Sequence, residues 1–491
     1  MRHCSYVIFV LLNFFSFYAN ASTQDFPKLE RLQNQGAKVS ALVVNLNSGN
    51  TIAKISPEQR LSPASVSKLI IGADALETWG AQKTFSSQIL KRGTLQNHVL
   101  QGDLIFYGGG DPSLTNEKLW FLTTDVARYG ITQITGKVIV NKSLFGDISK
   151  DENRKAGSVH SKNAYDAPLS SAAVNFSVLA LVVTPSPNGE GRARIALEPY
   201  AIPSVKIINN VTTRKSGVSK VTVTRESKNG FDTFTVSGNI VAHSPMIRVY
   251  RSISNPDQYA GEVINAFLNK NGIKTPGDIR IETTPVKTTD KLVSEVQSYP
   301  LAWQLRGLFE VSNNFIADML TLNLGLQNNL PLGDNLLKSS AKNLEHYMKE
   351  MNKTSSSTTP IVLHSGSGLT PENRLSAKDV VTLLSRMYSN THFFPEFLSA
   401  LAIPGEEGTL KHRFQTSNDL PSKLMLRAKT GTLTEPFDVV ALAGYSQAKN
   451  GDWLAFTIIV NGSAKSSASN TENIRQAIDS DLSKILAMEQ Q

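Results

Sequence analysis

The sequence predicts an α+β fold, an antiparallel sheet covered by helices, interrupted by a long β-rich insertion. Three observations carry this. Strand-forming runs lie at residues 39–46 and again at 439–445 and 453–460, helical spacing dominates from about 293 to 388, and short alternating strands fill 85–287. Helices bracketed by strands in this way suit an antiparallel sheet packed by helices.

Residues 39–46 followed by Asn47-Ser48-Gly49-Asn50 and a second run from Thr51 read as a hairpin. Leu69, Ile70, Ala73 and Leu76 recur at helical spacing, so a helix is expected from near Ser65 to about Trp79, stopped by Gly80. Within the insertion, strands are expected at 138–140, 194–197, 220–224 and 233–236. Gly108-Gly109-Gly110-Asp111-Pro112 lacks the Gly-Lys-Ser/Thr ending of a phosphate loop and reads as a tight turn. Helical patterning returns near Val293 and runs through Asn314 to Leu326, with further helices at 334–351, 377–388 and 473–488. The expected division is a leader at 1–21, a core domain in two parts at 22–84 and 291–491, and one or two inserted β-rich domains at 85–290.

Arg2, an apolar run at 6–18 and the small-x-small triplet Ala19-Asn20-Ala21 have the form of a signal peptide cleaved after Ala21. The run is shorter than the ~20 residues of a membrane span, so export to the periplasm or beyond is expected, not membrane integration. Cys4, the single cysteine, falls inside the leader, which excludes cysteine catalysis and a thiolate metal site in the mature chain. The net charge of +9 becomes +8 (9 − 1) without Arg2. That charge suits an anionic cell envelope. No basic run with interleaved aromatics accompanies it, which argues against a nucleic-acid partner.

Three patterns could carry chemistry: Ser65-Val66-Ser67-Lys68, Ser312-Asn313-Asn314 and Lys429-Thr430-Gly431. Ser-x-x-Lys recurs at Ser339-Ser340-Ala341-Lys342, read as a solvated helix face, and Ser-x-Asn recurs several times, whereas Lys-Thr-Gly occurs once. Order and setting give them weight, because together they match the motif set of penicillin-interacting enzymes. A serine hydroxyl needs a base to become a nucleophile. Lys68 shares a helix face with Ser65 at i and i+3. An ordinary lysine titrates near ~10.4, so burial or a second cation, for which Lys429 is the candidate, must lower it. Ser312 can relay a proton to the leaving amine, and Asn314 can fix Lys68 and hold the substrate backbone. Lys429 and Thr430 could bind a terminal carboxylate. Gly431 leaves room for an extended substrate along the strand edge. Backbone N–H groups of Ser65 and Thr432 would form the oxyanion hole.

Further segments extend the match: Gly102-Asp103-Leu104, Gly109-Gly110-Asp111-Pro112-Ser113-Leu114, Asn314 to Asp318, Gly366-Ser367-Gly368-Leu369, Gly408-Thr409-Leu410 with Arg413-Phe414, and Ala428 to Leu433. In these the chain resembles the low-molecular-mass class C penicillin-binding proteins, the D-alanyl-D-alanine carboxypeptidase/endopeptidases of peptidase family S13. The resemblance implies a transpeptidase/β-lactamase-like domain with its insertion after the nucleophile helix. It implies hydrolysis of peptidoglycan stem peptides and cross-links through a Ser65 acyl-enzyme, β-lactams as covalent inhibitors, and no metal or cofactor. Asn313, Ser365 and Thr432 depart from the usual Asp, Asp and Ser. Two other readings stand beside this one, a catalytically weak peptidoglycan-binding scaffold and a β-lactamase. Whether two copies associate as a homodimer is left open.

Overall fold

The computed structural model describes residues 26–148, 163–327, 336–354, 357–415, 425–463 and 470–490. The expected leader and residues 334–335 of the expected 334–351 helix lie outside them. The chain opens with α1 (Pro27–Asn34), β1 (Lys38–Asn45), β2 (Thr51–Ile55) and α2 (Lys68–Trp79). The insertion begins with β3 (Ser86–Gln96), β4 (Val99–Tyr107), α3 (Asn116–Arg128), β5 (Gln133–Ile134) and β6 (Val138–Asn141). It continues through β7 (Val178–Thr184), β8 (Gly191–Arg192), β9 (Arg194–Glu198), β10 (Val205–Arg214), β11 (Lys220–Lys228) and β12 (Phe231–Val241). Next come β13 (Ile247–Ser252), α4 (Pro256–Lys270), β14 (Ile279–Glu282) and β15 (Lys291–Gln297). Five helices follow: α5 (Leu301–Phe309), α6 (Asn314–Gln327), α7 (Leu336–Met351), α8 (Ala377–Ser389) and α9 (Phe394–Ser399). The last elements are β16 (Leu426–Leu433), β17 (Val439–Gln447), β18 (Trp453–Asn461) and α10 (Thr471–Met488).

The two ends of the chain close one five-stranded sheet, ordered β16-β17-β18-β1-β2, with every neighbouring pair antiparallel. Strands β17 and β18 are apolar almost throughout because both faces of this sheet are covered. Ala441, Ala443 and Tyr445 join the core of α2, α5 and α8, while the alternate Val440 and Leu442 join the core of α1 and α10. Helix α2 is apolar nearly all round, as suits a helix at the centre of a domain. A side chain at Gly72 would come within 2.2 Å of the Phe309 ring, so glycine there lets α5 lie against α2. Among the described residues no helix is long and apolar enough to cross a membrane.

The insertion has its own core and three sheets: β14-β6-β4-β3-β15 with β5 on β4, β11-β12-β10-β8, and β13-β7-β9. The helix expected near Val293 is corrected. Residues 291–297 are β15, paired antiparallel with β3 of the insertion. Val293 and Val296, which pack against the insertion core, are spaced by three, a helical spacing that β15 accommodates through a register shift between Leu292 and Ser294. Helix α5 starts only after Pro300.

The tight turn expected at Gly108–Pro112 is corrected: residues 108–111 run without a turn, which falls at Pro112 and Ser113. A side chain at Gly109 would meet the Ser86 carbonyl at 1.7 Å, so glycine there lets the segment lie against β3. Asp111 is 2% exposed. Its Oδ1 accepts from the Ser113 amide (2.7 Å) and hydroxyl (2.8 Å). Its Oδ2 has no hydrogen-bond partner among the described residues. Burial pushes the carboxyl up to about 6, outweighing those two bonds. A carboxyl raised on folding stabilises below its unfolded value and loses that contribution as pH rises through the folded one. Relative to Asp111→Asn, the wild type should therefore lose about 2–3 kcal/mol between pH 4 and 7. Thermal melts of both proteins across that range check this; parallel curves would contradict it.

Candidate active site

The nucleophile candidate sits where the chain turns into α2. The expected helix start is a 3₁₀ turn, Ala64–Ser67, and the α-helix proper begins at Lys68. Ala64 adopts a left-handed φ of 46°. Ser65 is half-buried and Lys68 is 0% exposed. The Lys68 ammonium donates to Ser65 Oγ at 2.8 Å, to Asn314 Oδ1 at 2.7 Å, and to the main-chain carbonyl of Ser367. Ser65 Oγ also points to that carbonyl, at 3.3 Å.

Helix α6 delivers the second group. Asn314 is its first residue, and the half-buried Ser312 precedes it at a φ of 60°. The Asn314 amide donates to the Tyr165 carbonyl at 2.8 Å, so a segment of the insertion reaches the site. One turn further along α6, buried Asp318 accepts from the Ser367 amide at 3.0 Å. Asp318 thus holds the peptide whose carbonyl faces Lys68. Gly368 has a φ of 75°, and a side chain there would lie 2.0 Å from the Ala64 carbonyl, which lets this segment press against the nucleophile turn.

The third group lies on β16, at the end of its sheet. An isolated bridge between Ala402 and Ala428 stops just before Lys429. Lys429 is 0% exposed and donates to the Thr430 carbonyl at 2.7 Å. Burial first, then the charge of Lys68, hold Lys429 well below the ordinary lysine value. The lysine held down here is Lys429, whereas the sequence reading placed that effect on Lys68. A side chain at Gly431 would meet the Pro63 carbonyl at 2.7 Å and the Ser65 amide at 3.1 Å, so glycine brings the strand onto the nucleophile turn. Thr430 is 8% exposed and Thr432 is exposed.

All three motifs converge, although Ser65 and Asn314 are 249 positions apart (314 − 65) and Lys429 lies another 115 further on (429 − 314). The decoy Ser339–Lys342 lies on α7 with Lys342 exposed, yet Ser340 is buried against Gly325, so that face is not wholly solvated. Three participants went unassigned in the sequence: the carbonyls of Ser367 and Tyr165 and the carboxylate of Asp318. A main-chain acceptor has no residue signature. For Asp318 the i, i+4 spacing from Asn314 was the available signal. Asn313 Oδ1 accepts from the Ile316 amide at 3.1 Å, the helix-capping bond an aspartate would make. The Ser365 carbonyl accepts from Asn373 at 2.9 Å, while its buried hydroxyl has no hydrogen-bond partner among the described residues.

A serine hydroxyl bonded to a buried lysine at the head of a helix, beside an edge strand of an antiparallel sheet, defines the class: a serine hydrolase on an α+β core. Comparison with known proteins narrows it. The description of the D-Ala-D-Ala carboxypeptidase 3 (S13) family matches residues 20–485, and the chain belongs to that family. It is 27% identical over 446 residues to the D-alanyl-D-alanine carboxypeptidase of Actinomadura sp. (strain R39), covering 87% of this chain and 78% of that one. It is 23% identical over 448 residues to D-alanyl-D-alanine carboxypeptidase DacB of Haemophilus influenzae, covering 91% and 89%. The fold is similar to the crystal structure of penicillin binding protein 4 (dacB) from Haemophilus influenzae, with a TM-score of 0.73 at 21% identity, over 94% of this chain and 98% of that one. The chain is a serine-type hydrolase of the carboxypeptidase and penicillin-binding kind.

Proposed function

We propose that the chain removes D-alanine from peptidoglycan stem peptides and cleaves D-alanyl cross-links through a Ser65 acyl-enzyme, and that β-lactams acylate the same serine. The observation that carries this reading is the bonding of Lys68 to both Ser65 and Asn314, with Lys429 near enough for the two charges to act on each other. Ser65 Oγ attacks the D-alanyl carbonyl while Lys68 takes its proton. The developing oxyanion is received by the amides of Ser65 and Thr432. Ser312 passes the proton from Lys68 to the leaving amine, and water then releases the acyl group.

Lys68 must be neutral at the moment of attack. Three acceptors surround the Lys68 nitrogen, and burial together with the charge of Lys68 holds Lys429 well below the ordinary lysine value. A substrate carboxylate arriving at Lys429 and Thr430 favours the charged Lys429, whose charge in turn repels the proton on Lys68. Substrate binding thereby prepares the base. The same reading includes export with cleavage after Ala21 and an insertion that ends at 297, where β15 ends, instead of 290.

Incubating the purified mature chain with defined muropeptides and reading the products by mass tests the proposal. Loss of a terminal D-alanine or scission of a D-alanyl cross-link supports it. Binding to sacculi without any product would favour the scaffold reading, and rapid antibiotic turnover would favour a β-lactamase.

A further inference from the structure

A short turn outside the three motifs touches one of them and the residue two positions before another. The 3₁₀ turn Gly408–Leu410 follows the Ala402 bridge to β16. The Thr409 amide donates to the Glu310 carbonyl at 3.0 Å, two residues before Ser312. A side chain at Gly408 would lie 2.2 Å from that carbonyl, and Gly408 has a φ of 57°, so the close approach requires glycine. Arg306 adds a second tie, donating to Glu310 at 3.0 Å and to Glu407 at 3.4 Å. The backbone of Thr409 is thus anchored to the Ser312 loop whatever its side chain. Its hydroxyl meets the opposite wall, accepting from Thr430 Oγ1 at 2.7 Å. Thr430 is nearly buried, while Thr409 is exposed.

We infer that Thr409 is a positioning residue for the substrate carboxylate, acting through the Thr430 hydroxyl. The inference rests on the reading of Thr430 as part of the carboxylate site. A hydroxyl is both donor and acceptor and rotates to suit its neighbours. In the structure the Thr430 hydroxyl donates its hydrogen bond to Thr409. With a carboxylate in front of β16 the chain of hydroxyls reverses. Thr409 donates to Thr430, and the Thr430 hydrogen turns to the anion. A pair polarised in this way binds an anion better than one hydroxyl alone. A neutral chain end gives no such gain, so Thr409 should favour substrates with a free C-terminal carboxylate.

The test compares wild type, Thr409→Val, Thr409→Ser, Thr430→Val and the Val/Val double variant on one D-Ala-D-Ala peptide, as the free acid and as its C-terminal amide. Active sites are counted by penicillin labelling, so partial misfolding does not enter. Thr409→Val should lose about tenfold in kcat/KM on the acid, mainly through KM, and less than about twofold on the amide. Thr409→Ser should restore the acid rate, and the double variant should fall no further than Thr430→Val. Equal loss on acid and amide, no loss on either, or losses that multiply in the double variant would overturn the inference. Should wild type and Thr430→Val treat acid and amide alike, the carboxylate site itself is misplaced. Should wild type and Thr430→Val differ while Thr409→Val behaves as wild type, the role of Thr409 alone fails.

Discussion

Replacing Ser65 with alanine is expected to lower D-alanine release by about 10⁴-fold or more, the scale on which loss of a nucleophile acts, and to abolish covalent capture of a β-lactam. Three features of the site lead there. Ser65 Oγ is the hydroxyl bonded to Lys68, it lies beside the Gly431 strand, and it opens the helix that carries its base. The substitution should leave the fold alone. Lys68 keeps Asn314 and the Ser367 carbonyl as acceptors, and Ser65 itself is only half-buried. A shift in stability within about 1 kcal/mol is expected. Intact-protein mass after incubation with a β-lactam reads the adduct directly. An adduct on Ser65→Ala would place the nucleophile elsewhere.

Replacing Lys429 with methionine is expected to slow acylation by about 10²- to 10³-fold, within the range general-base catalysis contributes. Methionine is unbranched and fills the volume of the buried stem, so packing is nearly kept. The Thr430 carbonyl loses one donor, worth about 1 kcal/mol. Against this, a buried amine no longer has to be desolvated. The melting temperature should therefore hold or rise while the rate collapses, which separates chemistry from folding. A slow enzyme with a markedly lower melting temperature would make the loss structural.

Much of the core was legible because periodicity carries it. The hairpin of β1 and β2, helix α2 and the apolar strands β17 and β18 follow from spacing and turn residues alone. The order of the three motifs was legible too, since Ser65, Asn314 and Lys429 each carry a side chain whose chemistry the others need. What sequence could not show has a common cause. The carbonyls of Ser367 and Tyr165 act through the main chain, which every residue shares. The strand at 291–297 was read as helix because two valines spaced by three fit the helical period, and the register shift between Leu292 and Ser294 that accommodates them in a strand leaves no mark in the sequence. The state of the lysine pair was also hidden. Spacing pointed to Lys68 as the base, while the buried environment that holds Lys429 below the ordinary lysine value exists only after β16 packs on the nucleophile turn.

The pH dependence of the acylation rate, measured at saturating substrate in wild type and Lys429→Met, tests the central claim most directly. If the charge of Lys429 drives the proton from Lys68, removing it lets Lys68 hold that proton to higher pH. The acid limb of the profile should then move upward in the variant. An acid limb that stays in place, or moves to lower pH, would contradict a base made by its neighbouring cation.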